Sequence, residues 1–169
     1  ELDPEKHPTI GQMMKDAGYR TGCFGKWNVS NPNRRRANDF GFESWVGLHL
    51  NHDFYTHKVK RTQEHDLYRD GEHFDRKGVW SDTIFADEAI RFIKAENDKP
   101  FFVYLPFQAP HDPIQDPDIL FDAPRDKKLI ENRPTLIKMI ERLDLEIGRV
   151  LKTLDDEKIA QDTLVVVTS

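Results

Sequence analysis

Phe101-Phe-Val-Tyr-Leu-Pro-Phe-Gln-Ala-Pro-His-Asp-Pro113 decides the fold, because its two halves obey different rules. The first half is a continuous run of aromatic and β-branched residues, which reads as a strand buried on both faces of a sheet. In the second half Pro106, Pro110 and Pro113 forbid regular pairing and stiffen the backbone. His111 and Asp112 are thereby held on a rigid loop at the carboxyl end of a buried strand, where open α/β sheets bind ligands. A proline-rich turn whose histidine only caps a neighbouring group fits the same residues. A second strand end favours the ligand reading. Tyr19-Arg-Thr-Gly-Cys-Phe-Gly-Lys-Trp-Asn28 also runs from a short strand into a polar group, Lys26, flanked by Gly25 and Trp27. Two strand ends that each present a cation-capable side chain point to an anion site.

Working outward, helices and strands alternate. Thr9 and Gln12 make a capping box, Ile10, Met13, Met14 and Ala17 share one helical face, and Gly18 stops the helix before a strand from Tyr19 to Gly25. Ser81 or Asp82 caps a second helix whose broad apolar face carries Phe85, Ala86, Ala89, Ile90, Phe92 and Ile93, and which ends near Asn97. A stretch rich in Asp and Pro follows the central strand and reads as irregular as far as Pro134. A third helix starts near Pro134 or Thr135 and reaches about Leu154. Its stripe of Leu136, Ile140, Leu143, Ile147, Val150 and Leu154 is predicted to face the core. Thr163 to Thr168 is almost wholly β-branched and reads as another buried strand. Three helix-strand alternations predict an α/β layer with a largely parallel sheet flanked by helices.

Between about residues 28 and 79 periodicity fails, so a long irregular insertion is expected within a single domain covering 1–169. Phe40, Phe42 and Trp45 are expected to anchor it, and Leu67 to Glu72 reads as a hairpin around Asp70-Gly71. His7, His57, His65 and His73 match no motif and read as exposed loop residues.

Composition narrows the function classes. The chain has 169 residues, 37% hydrophobic and 33% charged, with a formal net charge of −5, which argues against a nucleic-acid binder. The triplet Arg34 to Arg36 reads as a solvated loop. No apolar run approaches the roughly 18 to 20 residues that cross a bilayer. The chain opens on Glu1 without a methionine, as an excised piece would. Its single cysteine, Cys23, rules out an internal disulfide framework and a multi-cysteine zinc site, and reads as a buried thiol. Asn28-Val29-Ser30 fits a glycosylation sequon, a pattern common by chance.

Four blocks in register resemble a known family: Gly18 to Trp27, Pro100 to Pro113, Met139 to Leu151, and Asp162 to Ser169. They are similar to consecutive blocks of the type I sulfatases, and the resemblance spans nearly the whole chain. It implies an alkaline-phosphatase-like fold, present here as a partial catalytic domain, and hydrolysis of sulfate esters. It implies further a formylglycine nucleophile and a bound calcium ion. Lys26 matches the family's lysine against the sulfate, and His111 matches the histidine that contacts sulfate and protonates the leaving oxygen. Gly47 to Asp53 resembles the block of substrate-side polar groups. Asn51 and His52 are candidates there, with surface-loop polarity as the competing reading.

The chain departs from the family in two respects. Asn28 stands where the family has the histidine that assists the formylglycine hydroxyl, and an amide takes up no proton near neutral pH, though it can orient that hydroxyl. The Cys/Ser-x-Pro-x-Arg motif, the paired aspartates and the Asp-Asn-Gly motif are not in the segment, so no metal ligand is assigned within it. The resemblance thus implies a central fragment of an extracytoplasmic sulfatase acting on a sulfated small molecule or glycan. Two alternatives remain open. One is a phosphonate or phosphodiester hydrolase of the same superfamily, and the other a non-catalytic binding protein descended from a sulfatase.

Overall fold

The computed structural model describes residues 3–29, 36–119 and 132–168. Ser30 of the sequon, Arg34 and Arg35 of the basic triplet, and residues 120–131 of the Asp/Pro-rich stretch lie outside that description. Five strands form one sheet: β1 (Arg20–Lys26), β2 (Ser44–Leu48), β3 (Tyr68–Arg69), β4 (Glu72–His73) and β5 (Phe101–Tyr104), in the order β4-β3-β2-β1-β5. β1 runs parallel to both β2 and β5, while β3 pairs antiparallel with β2 and β4. With α1 (Ile10–Asp16), α2 (Ser81–Lys94) and α3 (Arg133–Asp156) the architecture is mixed α/β, parallel at its centre.

The parallel strands bring their carboxyl ends to one edge, and glycine sets how closely they approach. Gly25 is paired with Gly47 in the β1–β2 register. A Cβ on Gly47 would lie 1.9 Å from the Gly25 carbonyl oxygen, and one on Gly25 would lie 2.0 Å from that of Pro106. Gly25 also has φ +137°, which L side chains rarely adopt. With no Cβ in the way, the Lys26 amide donates to the Pro106 carbonyl and the Trp27 amide to that of Leu48, each at 2.7 Å.

Side-chain alternation along β1 and β2 fills two cores. Phe24, Val46 and Leu48 pack with Leu67 and with Ile84, Phe85 and Ala89 of α2. Cys23, Trp27 and Trp45 pack on the other face with Ala37, Phe40 and Phe42. Burial raises the proton affinity of the Cys23 thiol far above its ordinary value, as expected of a structural cysteine. A third cluster joins Phe54, Trp80, Ala109 and Met139. It fastens α3 and the loop after β5 to the amino end of α2. Glu146 of α3 completes the attachment, accepting from Thr83 Oγ1 at 2.6 Å, Arg142 Nε at 3.0 Å and Arg149 Nη1 at 2.6 Å.

Several expectations need correction. The stretch 28–79, read as irregular apart from the hairpin that forms β3 and β4, also supplies β2. β2 was hidden because Ser44-Trp-Val-Gly-Leu48 is short, and its strand state depends on pairing with β1. The Asp70-Gly71 hairpin is as expected, with φ 47° and 93° at its two tip residues. Thr9 caps α1 by accepting from the Gln12 amide at 3.2 Å, but the Gln12 side chain turns to Asp16, so half of the capping box forms. Ile10 and Met13 are exposed, and α1 meets the body through Gly11, where a Cβ would lie 2.6 Å from the Phe40 carbonyl oxygen.

The α3 stripe is only partly covered. Leu154 is buried, Leu136, Leu143, Ile147 and Val150 are half-buried and Ile140 is 47% exposed, while Met139, outside the expected stripe, is fully buried, because α3 touches the body along one side. β5, expected to be buried on both faces, is half-buried and ends on an exposed Tyr104. Thr163 to Thr168 is not a strand: Leu164 is 89% and Val166 76% exposed. β-propensity expresses fit to a paired, half-buried surface, and no described strand pairs with these residues.

Gly47→Ala is expected to destabilise the protein by about 2 kcal/mol or more, since its methyl group meets backbone that cannot yield. Urea unfolding of parent and variant measures the difference.

Candidate functional site

The carboxyl edge of the parallel strands gathers three loops: Trp27-Asn28 after β1, His49 to Asn51 after β2, and Pro106 to Asp112 after β5. Lys26 closes β1 half-buried, and burial lowers the proton affinity of its amine. Asn28 is exposed two residues further on. Asn51 and His111, 60 residues apart in the chain, meet directly: the Asn51 amide lies 2.9 Å from His111 Nδ1. The Asp112 carbonyl oxygen lies 3.2 Å from the same nitrogen. Nδ1 accepts from the amide when bare and donates to the carbonyl when it carries the hydrogen, and either bond leaves Nε2 as the nitrogen free to meet a ligand.

Two buried carboxylates hold these loops, each accepting from two successive backbone amides. Asp66 accepts from His49 at 3.1 Å and Leu50 at 2.7 Å, fixing the backbone just before Asn51. Asp82, in the first turn of α2, accepts from Gln108 at 2.8 Å and Ala109 at 3.0 Å, fixing the backbone just before His111. The His111 amide then closes a turn on the Gln108 carbonyl at 2.9 Å. Gln108 Nε2 donates to the His52 carbonyl at 2.7 Å, so the two loops are also tied to each other. Burial raises the Asp66 carboxyl to about 6 and the Asp82 carboxyl to about 7, outweighing the amide bonds that favour the charged forms.

His7 and His73 are exposed as expected, but His52 and His57 are not. His52 is fully buried, with Nδ1 2.8 Å from the Asp66 carbonyl oxygen and Nε2 2.8 Å from Ser81 Oγ. A carbonyl only accepts, so Nδ1 carries the hydrogen, and the single Ser81 hydroxyl hydrogen is shared between His52 Nε2 and the Phe54 carbonyl at 3.0 Å. His52 is thus neither surface-loop polarity nor in reach of solvent. His57, expected to be exposed, is buried too; its Nε2 donates to the Val79 carbonyl at 3.0 Å, and burial lowers its proton affinity to about 4.

At the other end of the strands, a hollow lined by Arg20, Arg69 and Arg91 resembles an anion pocket only in composition. Arg69 and Arg91 both pair with Glu88, and Arg20 donates to the Phe92 and Ile93 carbonyls. Among the described residues, no three His, Cys, Asp or Glu side chains converge as a metal cage does. Asp66, Asp82 and Gln108 are the residues that sequence reasoning missed as site supports. Asp82 read only as a helix cap, and the sole local signal was an acidic residue in a first turn.

Asp82→Asn isolates one support. The folded-state carboxyl titrates near 7 and the unfolded one near 3.8, so in that window the folded parent holds a proton the unfolded chain lacks. Parent stability is therefore lost as pH rises through the window, and the amide variant lacks that loss. The stability of the variant relative to the parent is expected to rise between pH 4 and 7, by up to about 1.4 kcal/mol per pH unit, and to stay level outside it. Denaturant unfolding across this pH range reads the slope directly.

Comparison with known proteins identifies the family. The profile of the family "Sulfatase" matches residues 1–169. The dog N-acetylgalactosamine-6-sulfatase is 25% identical over 98% of this chain and 33% of its own length. The arylsulfatase of Klebsiella aerogenes is 34% identical over 65% of this chain and 25% of its own length. The chain thus spans about a third or less of the curated relatives it matches. Among solved structures, Ps i-CgsB superposes with a TM-score of 0.76 at 23% identity, covering 92% of this chain and 38% of that one. The PsFucS1 sulfatase from Pseudoalteromonas sp. superposes with a TM-score of 0.64 at 21% identity over 94% of this chain and 36% of that one, so the fold resembles a sulfatase core, and the match along all 169 residues places the chain itself in the sulfatase family, the sulfuric ester hydrolases.

Proposed function

We propose that this chain is the central part of a sulfatase catalytic domain whose parent protein hydrolyses sulfate esters on carbohydrate. The observation that carries this reading is the Asn51–His111 contact at the carboxyl edge of the strands, one strand away from Lys26. A sulfate ester needs fixed positive charge at its oxygens and a proton for the leaving oxygen. Lys26 supplies the charge from a partly desolvated position, where it acts more strongly than in water. His111 supplies the proton from Nε2; while both ring nitrogens carry hydrogen Nδ1 donates to the Asp112 carbonyl, and once Nδ1 is bare it accepts from the Asn51 amide.

Asn28 lies beside Lys26 on the same loop and orients the nucleophile's hydroxyl by hydrogen bonding. His52, sealed in the interior, supports the loop through the Asp66 carbonyl and Ser81 rather than touching substrate. The formylglycine nucleophile and the calcium ligands belong to parts of the parent protein outside this segment. The carbohydrate substrate is inferred from relatives named for N-acetylgalactosamine-6-sulfate and N-acetylglucosamine-6-O-sulfate chemistry. A protein of the same fold, Ps i-CgsB, was solved with neocarrahexaose bound. The parent is accordingly read as extracytoplasmic. Asn28 supports one other reading, a binding protein that has lost turnover, because an amide cannot perform the proton transfer of the histidine it replaces. Phosphonate or phosphodiester hydrolysis is distinguished from both by the nucleophile motif of the parent protein.

Two rate measurements test the reading in the parent protein. His111→Ala should slow esters of poor leaving groups about 10² to 10⁴-fold and activated esters much less, as loss of a general acid does. Asn51→Ala should reproduce the same dependence in weaker form, and a uniform loss across the series would assign His111 to positioning.

Lys26→Ala should lower kcat about 10² to 10³-fold on one activated sulfate ester, by analogy with loss of an oxyanion donor. Asn28→His should leave the rate unchanged or raise it. An inert parent that gains turnover with Asn28→His would establish the binding reading, and full activity in Lys26→Ala would refute the site.

A further inference from the structure

Four histidines run in a row away from the site just described. His52 and His57 have ring centroids 5.3 Å apart, His57 and His65 6.3 Å, and His65 and His73 5.3 Å. The inner two are buried and held by protein carbonyls. The outer two meet nitrogen to nitrogen, with Nδ1 of half-buried His65 3.2 Å from Nδ1 of exposed His73. We propose that His65 and His73 form a two-histidine chelate for a borderline transition-metal cation, zinc(II), copper(II) or nickel(II), with the remaining coordination positions open to solvent.

Spacing is the first argument. Imidazole nitrogen binds zinc at about 2.0 to 2.1 Å, so two ligands 3.2 Å apart subtend about 103° at the metal. That angle lies between square-planar and tetrahedral coordination, the geometries of these cations. An all-imidazole donor pair suits them and does not suit calcium or magnesium, which take oxygen.

Tautomer is the second. His57 Nε2 donates to the Val79 carbonyl, so its Nδ1 is an acceptor, and this buried atom has no partner. The neighbouring His65 ring has its Nε2 buried and likewise unpartnered. With its hydrogen on Nε2, His65 keeps a lone pair on Nδ1, the nitrogen that lies 3.2 Å from His73 Nδ1. Metal-bound histidines carry their hydrogen in the same place, on the nitrogen away from the metal.

Preorganisation is the third. His73 closes β4 and His65 lies three residues before β3, and one side chain braces both. The Tyr68 ring lies against His73, with centroids 5.0 Å apart, and its hydroxyl donates to the His65 carbonyl at 3.3 Å. Tyr68 and His73 are also register partners, and a bridge between Lys58 and His65 fixes the other arm. Ligands already in position lose little conformational freedom on binding. Burial and the neighbouring His73 lower the proton affinity of His65, and the Asp75 carboxylate offsets this only in part.

The test is calorimetric titration of zinc chloride into the 169-residue chain in a non-chelating buffer. One equivalent is expected to bind. His65→Gln and His73→Gln should each weaken binding about 10- to 100-fold or more, since losing a ligand costs at least as much as losing a ligand's hydrogen-bond partner. His7→Gln should change nothing. ¹⁵N NMR of the imidazoles should show zinc moving the Nδ1 resonances of His65 and His73 together. His73 is exposed, so its substitution leaves the core intact, and unchanged far-UV circular dichroism checks this. Absence of zinc binding, binding indifferent to both glutamine variants, or an Nδ1–H on His73 that persists at saturating zinc would overturn the site and leave a simple imidazole hydrogen bond.

Discussion

Three backbones approach one another at Gly25, Gly47 and Pro106 more closely than any side chain would allow, and the functional edge of the sheet depends on that approach. The missing Cβ atoms let the Lys26 amide reach the Pro106 carbonyl and let β1 and β2 stay in register to their last residues. Every loop that emerges at this edge starts from a point set by the contact. Lys26, Asn51 and His111 come from separate stretches of chain, yet begin within a few residues of it. Glycine is thus used where backbone must meet backbone, rather than for flexibility.

Beyond the glycines, positioning passes to buried charge. Asp66 and Asp82 each grip two consecutive amides of a strand-end loop, and Gln108 links the loops. A carboxylate is an economical clamp because its two oxygens can satisfy two donors at once. Its cost appears in the raised proton affinities of both groups, which burial imposes despite the favourable hydrogen bonds. In the sulfatase reading these are the residues that hold the His111–Asn51 pair without touching substrate. Their charge state then becomes part of how firmly the site is held near neutral pH.

The elements legible from sequence are those whose cause is local. Thr9 before a helix, Gly18 after it and Asp70-Gly71 at a hairpin tip each act on neighbours within a few residues, and each behaves as its residue type requires. The α2 face is legible for the same reason, its apolar residues recurring at helical spacing and packing as a set. Lys26 and His111 were legible as site candidates because glycine and proline mark the loops that carry them. Asn51 could be read only as loosely aligned loop polarity.

What the sequence determined by itself was therefore the α/β alternation, the two marked strand ends and the sulfatase resemblance they carry. Tertiary structure decided the rest. It made a strand of Ser44 to Leu48 by giving it β1 as a partner, and left the equally strand-like Thr163 to Thr168 exposed with no described partner. It turned the apolar face of α1 outward and sealed His52 and His57 inside. It brought Asp66 under Asn51 and Asp82 under His111. Pairing, burial and the reach of a carboxylate across 16 or 26 residues are relations between distant segments, and no window of sequence contains both members of such a relation.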